Sequence, residues 1–387
     1  MHPPKVFDIL PFMNVTEIFL KDFRNFSELK LNLSDEVNIF LGRNAQGKTN
    51  ILESVQFASL LKSRAARLGE LIKWGQIESF VKVNFKKADV SQDVAVELNA
   101  EKKSRRLLVN GNAERSKNFV GRLNTVMFSP EDLFMFKSSP ASRRQFLDGE
   151  ISQASPSYFE NLASYNRLVT QRNNLLKKIR EGTARTSNLA MWNEPLAKFA
   201  AAITSRRLIA VDCLNTVANS VHKKISAQNE NLAVTYEICG LNFDFGKSFY
   251  KENFKKNLAD WYMKNFSART NTDIERGTTT LGPHHDDLKF FVDGNELKLF
   301  GSQGQLRTTA LALKLSELEL LKSAFGEYPV LLLDDVMSEL DAERREQLLT
   351  FLLQKKIQTL ITATESKYFP APKFGTMFEV KAGRIEG

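Results

Sequence analysis

Cysteine is nearly absent: Cys213 and Cys239 are the two in 387 residues. Two thiols cannot build a disulfide framework, so a packed core must hold the fold, and a reducing, cytoplasmic compartment is the expectation. No apolar run approaches the ~18 residues of a membrane-spanning helix, which argues against a membrane role. Residues Met1 to Met13 carry prolines and an aspartate but no continuous apolar stretch, so they do not read as a signal peptide. Low-complexity tracts and internal repeats are also missing, which sets aside solenoids and propellers. Acidic residues fall short of basic ones, 45 Asp plus Glu against 54 Lys plus Arg, for a net charge of +9. The remainder, 42% hydrophobic and 26% charged, is ordinary globular text, long enough for two sizeable cores.

Against that background one short segment stands out. Gly42-Arg43-Asn44-Ala45-Gln46-Gly47-Lys48-Thr49 matches G-x-x-x-x-G-K-[ST], the phosphate-binding loop. It follows the strand-like Val37 to Leu41 and precedes a helical pattern from Asn50 to Val55, the context the motif requires. The glycines permit close backbone approach. Successive N–H groups then face phosphate oxygens at the positive end of a helix. Lys48 places a compact charge on the β- and γ-phosphates, and the Thr49 hydroxyl can ligate Mg²⁺. Far along the chain, Val330 to Leu333 is an apolar strand ending in Asp334-Asp335. Mg·ATP chemistry needs a carboxylate near the Thr hydroxyl, so Asp334 is the candidate for the Mg²⁺ shell and Asp335 for polarising the attacking water. Lys48, Asp334 and Asp335 are therefore the candidate catalytic residues, with Thr49 and Asp334 as metal ligands and ATP and Mg²⁺ as cofactors.

A third segment sets the class. Ser302-Gln303-Gly304-Gln305, ahead of a long helical pattern, is similar to the S-G-G-Q signature of ABC-type ATPases, with Gln303 in place of one Gly. The same text also fits a polar helix start with Ser302 as N-cap. Ser338-Glu339-Leu340-Asp341 resembles the D-loop of that class, which makes Asp341 a further cofactor-binding candidate. Taken together, the chain resembles the RecF family of DNA-repair ATPases, related to the SMC proteins. The resemblance runs from Met13 onward. It includes Leu20 to Phe26, Phe128 to Leu133, Arg143-Arg144-Gln145-Phe146-Leu147-Asp148, Tyr165-Asn166-Arg167, Gln171-Arg172-Asn173 and Leu281-Gly282-Pro283-His284-His285-Asp286-Asp287-Leu288. The family usually has Arg where His285 stands and favours Gln where Leu306 sits. In related heads a residue like Arg24 lies near nucleotide phosphate; surface or core packing is the other reading of it.

What the resemblance implies is an ATP-dependent homodimer. ATP is held by Gly42 to Thr49 of one subunit and covered by Ser302 to Gln305 of a second, clamping two heads on double-stranded or gapped DNA. Asp335 is one methylene shorter than the Glu usual at its position, so weak, slow hydrolysis is expected to release the clamp. The resemblance also implies RecR, RecO and RecA as partners at single-strand gaps. An ordinary NTPase or kinase acting on a small molecule, with no DNA role, is the alternative.

Fold class follows from motif order: an α/β, ABC-type P-loop ATPase head built from both chain ends, with an inserted, mainly helical arm. Strands are expected at Val15 to Phe19, Ser27 to Leu33, Val37 to Leu41, Phe80 to Lys86, Asp93 to Ala100 and Arg105 to Val109, with Asn110-Gly111 as a hairpin turn. From about Ser139 to Trp261 the apolar period becomes 3.6, with breaks at Gly182-Thr183 and Ser226 to Asn231 and no sustained heptads, so a compact arm is expected in preference to a long coiled coil. The expected division is residues 13–128 and 281–387 for the head and 129–280 for the arm. Basic clusters at Lys62, Arg64 and Arg67, and at Lys102, Lys103, Arg105 and Arg106, are the candidate DNA contacts; a third includes Arg167, Arg172, Lys177, Lys178 and Arg180. His284 to Asp287 resembles a metal cluster, but adjacent residues in one loop rarely converge on an ion, so a polar structural role is the reading.

Overall fold

The computed structural model describes residues 13–63, 67–226, 230–241, 248–369 and 374–386. They form two compact units: one joins the residues up to Leu133 with those from Lys314 onward, and the other is Phe134–Leu313.

The first part of the chain begins with β1 (Asn14–Phe23), β2 (Phe26–Asn32) and β3 (Val37–Leu41). Helix α1 (Lys48–Leu60) precedes β4 (Glu78–Lys87), β5 (Val90–Asn99), β6 (Ser104–Val109) and β7 (Asn112–Glu114). A short α2 (Ser116–Phe119), β8 (Thr125–Phe128) and α3 (Pro130–Phe134) follow. The second unit carries α4 (Pro140–Ala154), α5 (Pro156–Arg180), α6 (Ala190–Ile225), β9 (Leu232–Glu237), α7 (Phe254–Ala268) and α8 (Thr270–Arg276). It continues through β10 (Asp287–Val292), β11 (Asn295–Glu296) and α9 (Leu297–Phe300). Helix α10 (Gln303–Phe325) contains the boundary, and β12 (Val330–Asp334), α11 (Ala342–Lys355), β13 (Thr359–Ala363), β14 (Thr376–Lys381) and β15 (Arg384–Glu386) complete the chain.

In the first unit one sheet has the order β2-β1-β4-β5-β6-β7 and is antiparallel throughout. Its strands alternate buried and exposed positions, as strands with one face on a core do. The expected hairpin is present: Val109 pairs with Asn112, and Asn110 and Gly111 between them take φ of 50° and 76°, the doubly positive geometry of a type I′ turn. The other sheet has the order β15-β14-β3-β13-β12-β8 and is parallel except at β15. Every residue of β12 and β13 is buried, because parallel strands are covered on both faces and so read as continuous apolar runs. The two sheets are pinned by Gln358: its Oε1 accepts from Val15 N at 2.7 Å, and its Nε2 donates to Val15 O at 2.7 Å and Ser34 O at 2.8 Å. Residues from opposite chain ends thus share one core.

The second unit is mainly helical, as its 3.6 period predicted, but it also holds the antiparallel sheet β11-β10-β9. That sheet corrects the expected domain boundary. Residues 281–313 belong to the second unit, because β10 pairs along β9, with Asp287 opposite Glu237 and Val292 opposite Leu232. The expected boundary at 281 gives β10 to the head; its partner strand is local. No helix among the described residues is long and apolar enough to cross a membrane.

Candidate functional site

Strand β3 ends at Leu41 and α1 starts at Lys48, so the phosphate-loop residues Gly42 to Gly47 join a buried strand to a buried helix. Gly47 has φ 112°, and a Cβ there would lie 2.5 Å from Asn25 Nδ2; at Gly42 a Cβ would lie 2.4 Å from Val380 O. Both positions exclude side chains. Helix α1 has Gly47 as N-cap with no capping side chain, leaving its first-turn N–H groups for an anion.

The loop is braced from two sides. Gln46 O accepts from Asn25 Nδ2 and from Gly383 N, each at 3.0 Å, and Gln46 Oε1 accepts from Ala382 N at 2.7 Å. Asn25 Oδ1 in turn accepts from Asn50 Nδ2 at 2.8 Å. The side chain of Gln46 therefore ties the loop to the β14–β15 turn. Asn44 and Ala45 form the exposed crest, with Ala45 at φ 64°.

Lys48 is buried, and its Nζ donates to the carbonyls of Gly42 at 2.6 Å and Arg43 at 2.9 Å. Burial lowers the pKa of its ammonium, against the pull of Asp335 and Asp334. Thr49 Oγ1 donates to Asp334 Oδ1 at 2.8 Å, although the two are 285 residues apart in sequence. The same oxygen accepts from Thr362 Oγ1 at 2.9 Å, and Thr362 Oγ1 accepts from Asp335 N at 2.9 Å. Strand pairing sets Asp334 beside Thr362. Sequence reasoning missed Thr362; its signal is a hydroxyl near the end of a buried, mostly apolar strand.

Asp335 takes φ 53° at the end of β12, and its Oδ1 is buried with no hydrogen-bond partner. Burial raises its pKa; Lys48 opposes this and Asp334 adds to it. A buried carboxylate oxygen facing a cation and a second carboxylate is a donor set that suits Mg²⁺ and a polarised water, so the residues fit the implied cofactors. A cleft of about 1020 Å³ opens at the loop, lined by Gly42, Arg43, Gln46, Glu365, Lys367 and Phe378 among others.

Arg24 packs against α1. Its Nε and Nη2 both donate to the Glu53 carboxylate at 2.8 Å, and Nη1 donates to Glu70 O at 3.0 Å. Of the two readings of Arg24, the contacts made here are those of packing against α1. Glu53 was not singled out in the sequence, where it reads as one more helix carboxylate.

The signature-like residues lie in the second unit. Ser302 Oγ accepts from Gln305 N at 3.2 Å, and Gln305 Oε1 accepts from Ser302 N at 3.0 Å. This is a capping box, so the helix-start reading of the segment holds. Ser302, Gln303 and Gly304 are exposed on it, Leu306 is buried, and Gln305 Nε2 donates to Glu230 Oε1 at 2.9 Å. Asp341 is the N-cap of α11, accepting from Arg344 N at 2.9 Å and pairing with the Arg344 guanidinium.

Lys62, Arg67, Lys102, Lys103, Arg105 and Arg106 are exposed, the last four at the β5–β6 hairpin, where Arg106 meets Glu97 at 3.5 Å. Arg64 lies outside the described residues. The third basic cluster needs correction: Arg172 is fully buried, donating to Asp273 Oδ2 at 2.7 Å and Thr279 Oγ1 at 2.8 Å. It sits on the buried stripe Tyr165, Val169, Arg172 and Leu176 of α5, at a spacing that the sequence already displays.

The residues His284 to Asp287 turn to structural partners, the two histidines meeting one carbonyl and the two aspartates separate groups. His284 Nε2 meets Thr279 O at 3.1 Å and Nδ1 meets Tyr165 OH at 2.7 Å, while His285 Nε2 meets Thr279 O at 2.9 Å. Asp286 accepts from Tyr236 OH and Cys239 N, and Asp287 accepts both arms of Arg143 at 2.8 Å. Arg207, buried beside them, pairs with Asp148 and donates to Tyr236 OH and Pro283 O. The family-like middle blocks are thus the polar core of the second unit.

Residues 14–384 match the family described as RecF/RecN/SMC N terminal domain. The DNA replication and repair protein RecF of Natranaerobius thermophilus is 39% identical over 360 residues, 92% of this chain and 92% of that protein. A solved structure described as the recombination mediator protein RecF-ATP in the RecFOR pathway is 33% identical, with TM-score 0.88 over 98% of this chain and 99% of that one. The Smc head domain of Pyrococcus furiosus, solved bound to the C-terminal domain of ScpA, is 13% identical with TM-score 0.54 over 97% of this chain and 96% of that one, a likeness of fold alone.

Proposed function

The chain belongs to the RecF family of ABC-type, ATP-binding DNA replication and repair ATPases, and from that premise we propose that it works as an ATP-driven clamp on DNA. The observation that carries the reading is the chain of contacts from Thr49 through Asp334 and Thr362 to the backbone N–H of Asp335, whose buried Oδ1 has no hydrogen-bond partner and lies in the field of Lys48. In this reading the loop N–H groups and Lys48 hold the triphosphate, and Thr49 with Asp334 holds Mg²⁺. Bound Mg²⁺ supplies charge neutralisation on the β- and γ-phosphates. Asp335 orients water, and its shortness and raised pKa make hydrolysis slow. Ser302 to Gln305 of a second copy cover the nucleotide, with exposed Ser302 and Gly304 and the start of α10 as donors. The triphosphate then favours the closed dimer, and hydrolysis releases it.

Closure sets the basic residues Lys62, Arg67, Lys102, Lys103, Arg105 and Arg106 along duplex DNA near single-strand gaps, in the cytoplasm. RecO, RecR and RecA complete the repair step. The first test is light scattering of Asp335→Asn with ATP and with ADP. A dimer with ATP and a monomer with ADP is expected; a monomer in both sinks the clamp and favours the small-molecule NTPase. DNA binding across a salt series, with each nucleotide, should give a steep slope and an ATP-dependent affinity.

A further inference from the structure

The most exposed large apolar side chain among the described residues is Trp74, at 97%. It sits at the tip of a tight turn, Lys73-Trp74-Gly75-Gln76, closed by Gln76 N donating to Lys73 O at 2.9 Å. Hydration of a bare indole costs more than that of any other exposed side chain here. The turn springs from the rim of a cleft of about 560 Å³, floored by Leu68, Ile72, Leu98 and Ala100 and edged by Arg67 and Lys103. Ile72 borders the turn on one side. On the other, Ala100 N donates to Ile77 O at 2.8 Å. An aromatic tip, an apolar floor and cations at the edge are the parts that bind an unpaired base and its phosphates. Glu70 and Glu101 are next in sequence to the lining residues Gly69 and Ala100, so the local net charge is small and stacking must supply most of the attraction.

Resting on the DNA-clamp reading and deepening it, we propose that Trp74 stacks on an unpaired base of single-stranded DNA, with Arg67 and Lys103 on the flanking phosphates. The site would let the head tell a gap from plain duplex. The turn is also tied, through Arg24, to α1, the helix that follows the nucleotide loop. Lys73 N donates to Asp22 O at 2.8 Å and Arg24 N to Leu71 O at 2.7 Å, and the Arg24 guanidinium joins Glu70 O to Glu53 on α1.

The test compares full-length wild type, Trp74→Ala and Trp74→Phe for binding to oligo-dT, gapped duplex and blunt duplex, with ATP present. Trp74→Ala should weaken oligo-dT and gapped-duplex binding at least tenfold and leave blunt-duplex and ATP binding unchanged. Trp74→Phe should keep most of the affinity. Wild-type tryptophan emission should be quenched by oligo-dT, and that quenching should be lost in Trp74→Phe. Unchanged oligo-dT binding by Trp74→Ala, or an equal loss on blunt duplex, overturns base stacking while leaving the clamp intact. Wild type that binds none of the three DNAs overturns the DNA reading itself.

Discussion

A methyl group at position 47 would stand 2.5 Å from Asn25 Nδ2, on a backbone at φ 112°. No small shift relieves that, because Asn25 is itself bonded to Gln46 O and Asn50. Gly47→Ala should therefore cost ATP affinity at least tenfold while costing about 1–3 kcal/mol in stability; a fluorescent ATP analogue and urea melts measure the two. Lys48→Met should abolish both ATP-dependent dimerisation and ATP-dependent DNA binding, and intact clamping in that variant would contradict the role given to Lys48. In the second unit, single side chains set a pH dependence. His284 is pushed from its ordinary 6.5 down to about 3, mainly by burial and then by His285. Asp286 is pushed from 3.8 up to about 6, mainly by burial. The unfolded state binds the extra proton at His284, so that group makes stability rise from about pH 3 to 6.5. Between about pH 4 and 6 Asp286 does the reverse, because the folded state holds its proton. Between about pH 4 and 6 the two slopes nearly cancel, while His284 acts alone just below and just above that window. Urea midpoints should therefore stay nearly flat from about pH 4 to 6 in the wild type and fall with pH across the same window in His284→Gln.

At the scale of elements, the parallel sheet and the antiparallel sheet share one apolar core, and a few polar contacts fix how they join. Gln358 spends three hydrogen bonds on Val15 and Ser34. They fall where the β1–β4 register shifts between Val15 and Glu17, so the side chain satisfies backbone that the ladder leaves open. Gln358→Ala should cost about 2–4 kcal/mol, read as a lowered urea midpoint with the slope unchanged. Strands β3 and β12 are legible as apolar runs, and β4 to β6 as strands, with a hairpin turn following β6. Strand β10 falls in the stretch that the expected boundary at 281 gives to the head, and the structure gives it to the second unit. The text of Asp287 to Val292 does not name its partner, and pairing with β9 rather than with the head sheet is a tertiary choice. Arg172 is a similar case: it reads as a basic surface residue by type, while its place on the stripe of α5 reads as core, and Asp273 makes the burial tolerable.

For the molecule as a whole, the decisive prediction concerns the reach of the signature segment. Ser302→Arg keeps the residues of the phosphate loop untouched, so it should bind ATP normally yet fail to dimerise, even combined with Asp335→Asn. Loss of nucleotide binding in Ser302→Arg would place Ser302 in the pocket of its own chain and refute the cross-subunit role. Equilibrium binding of a labelled ATP analogue, with light scattering on the same samples, separates the outcomes.

The sequence by itself determined the chemistry: a loop that must cradle phosphate, a strand that must end in carboxylates, and enough local pattern to place most helices and strands. Those are short-range properties, fixed by glycine geometry, side-chain type and apolar period. Only the tertiary structure decided that Thr49 donates to Asp334 across 285 residues, that Thr362 bonds both the Asp334 carboxylate and the Asp335 N–H, that Gln46 braces the β14–β15 turn, and that Trp74 is left in water at the rim of an apolar cleft. Each of these depends on which distant segments share a core, and burial energy summed over the whole chain makes that selection.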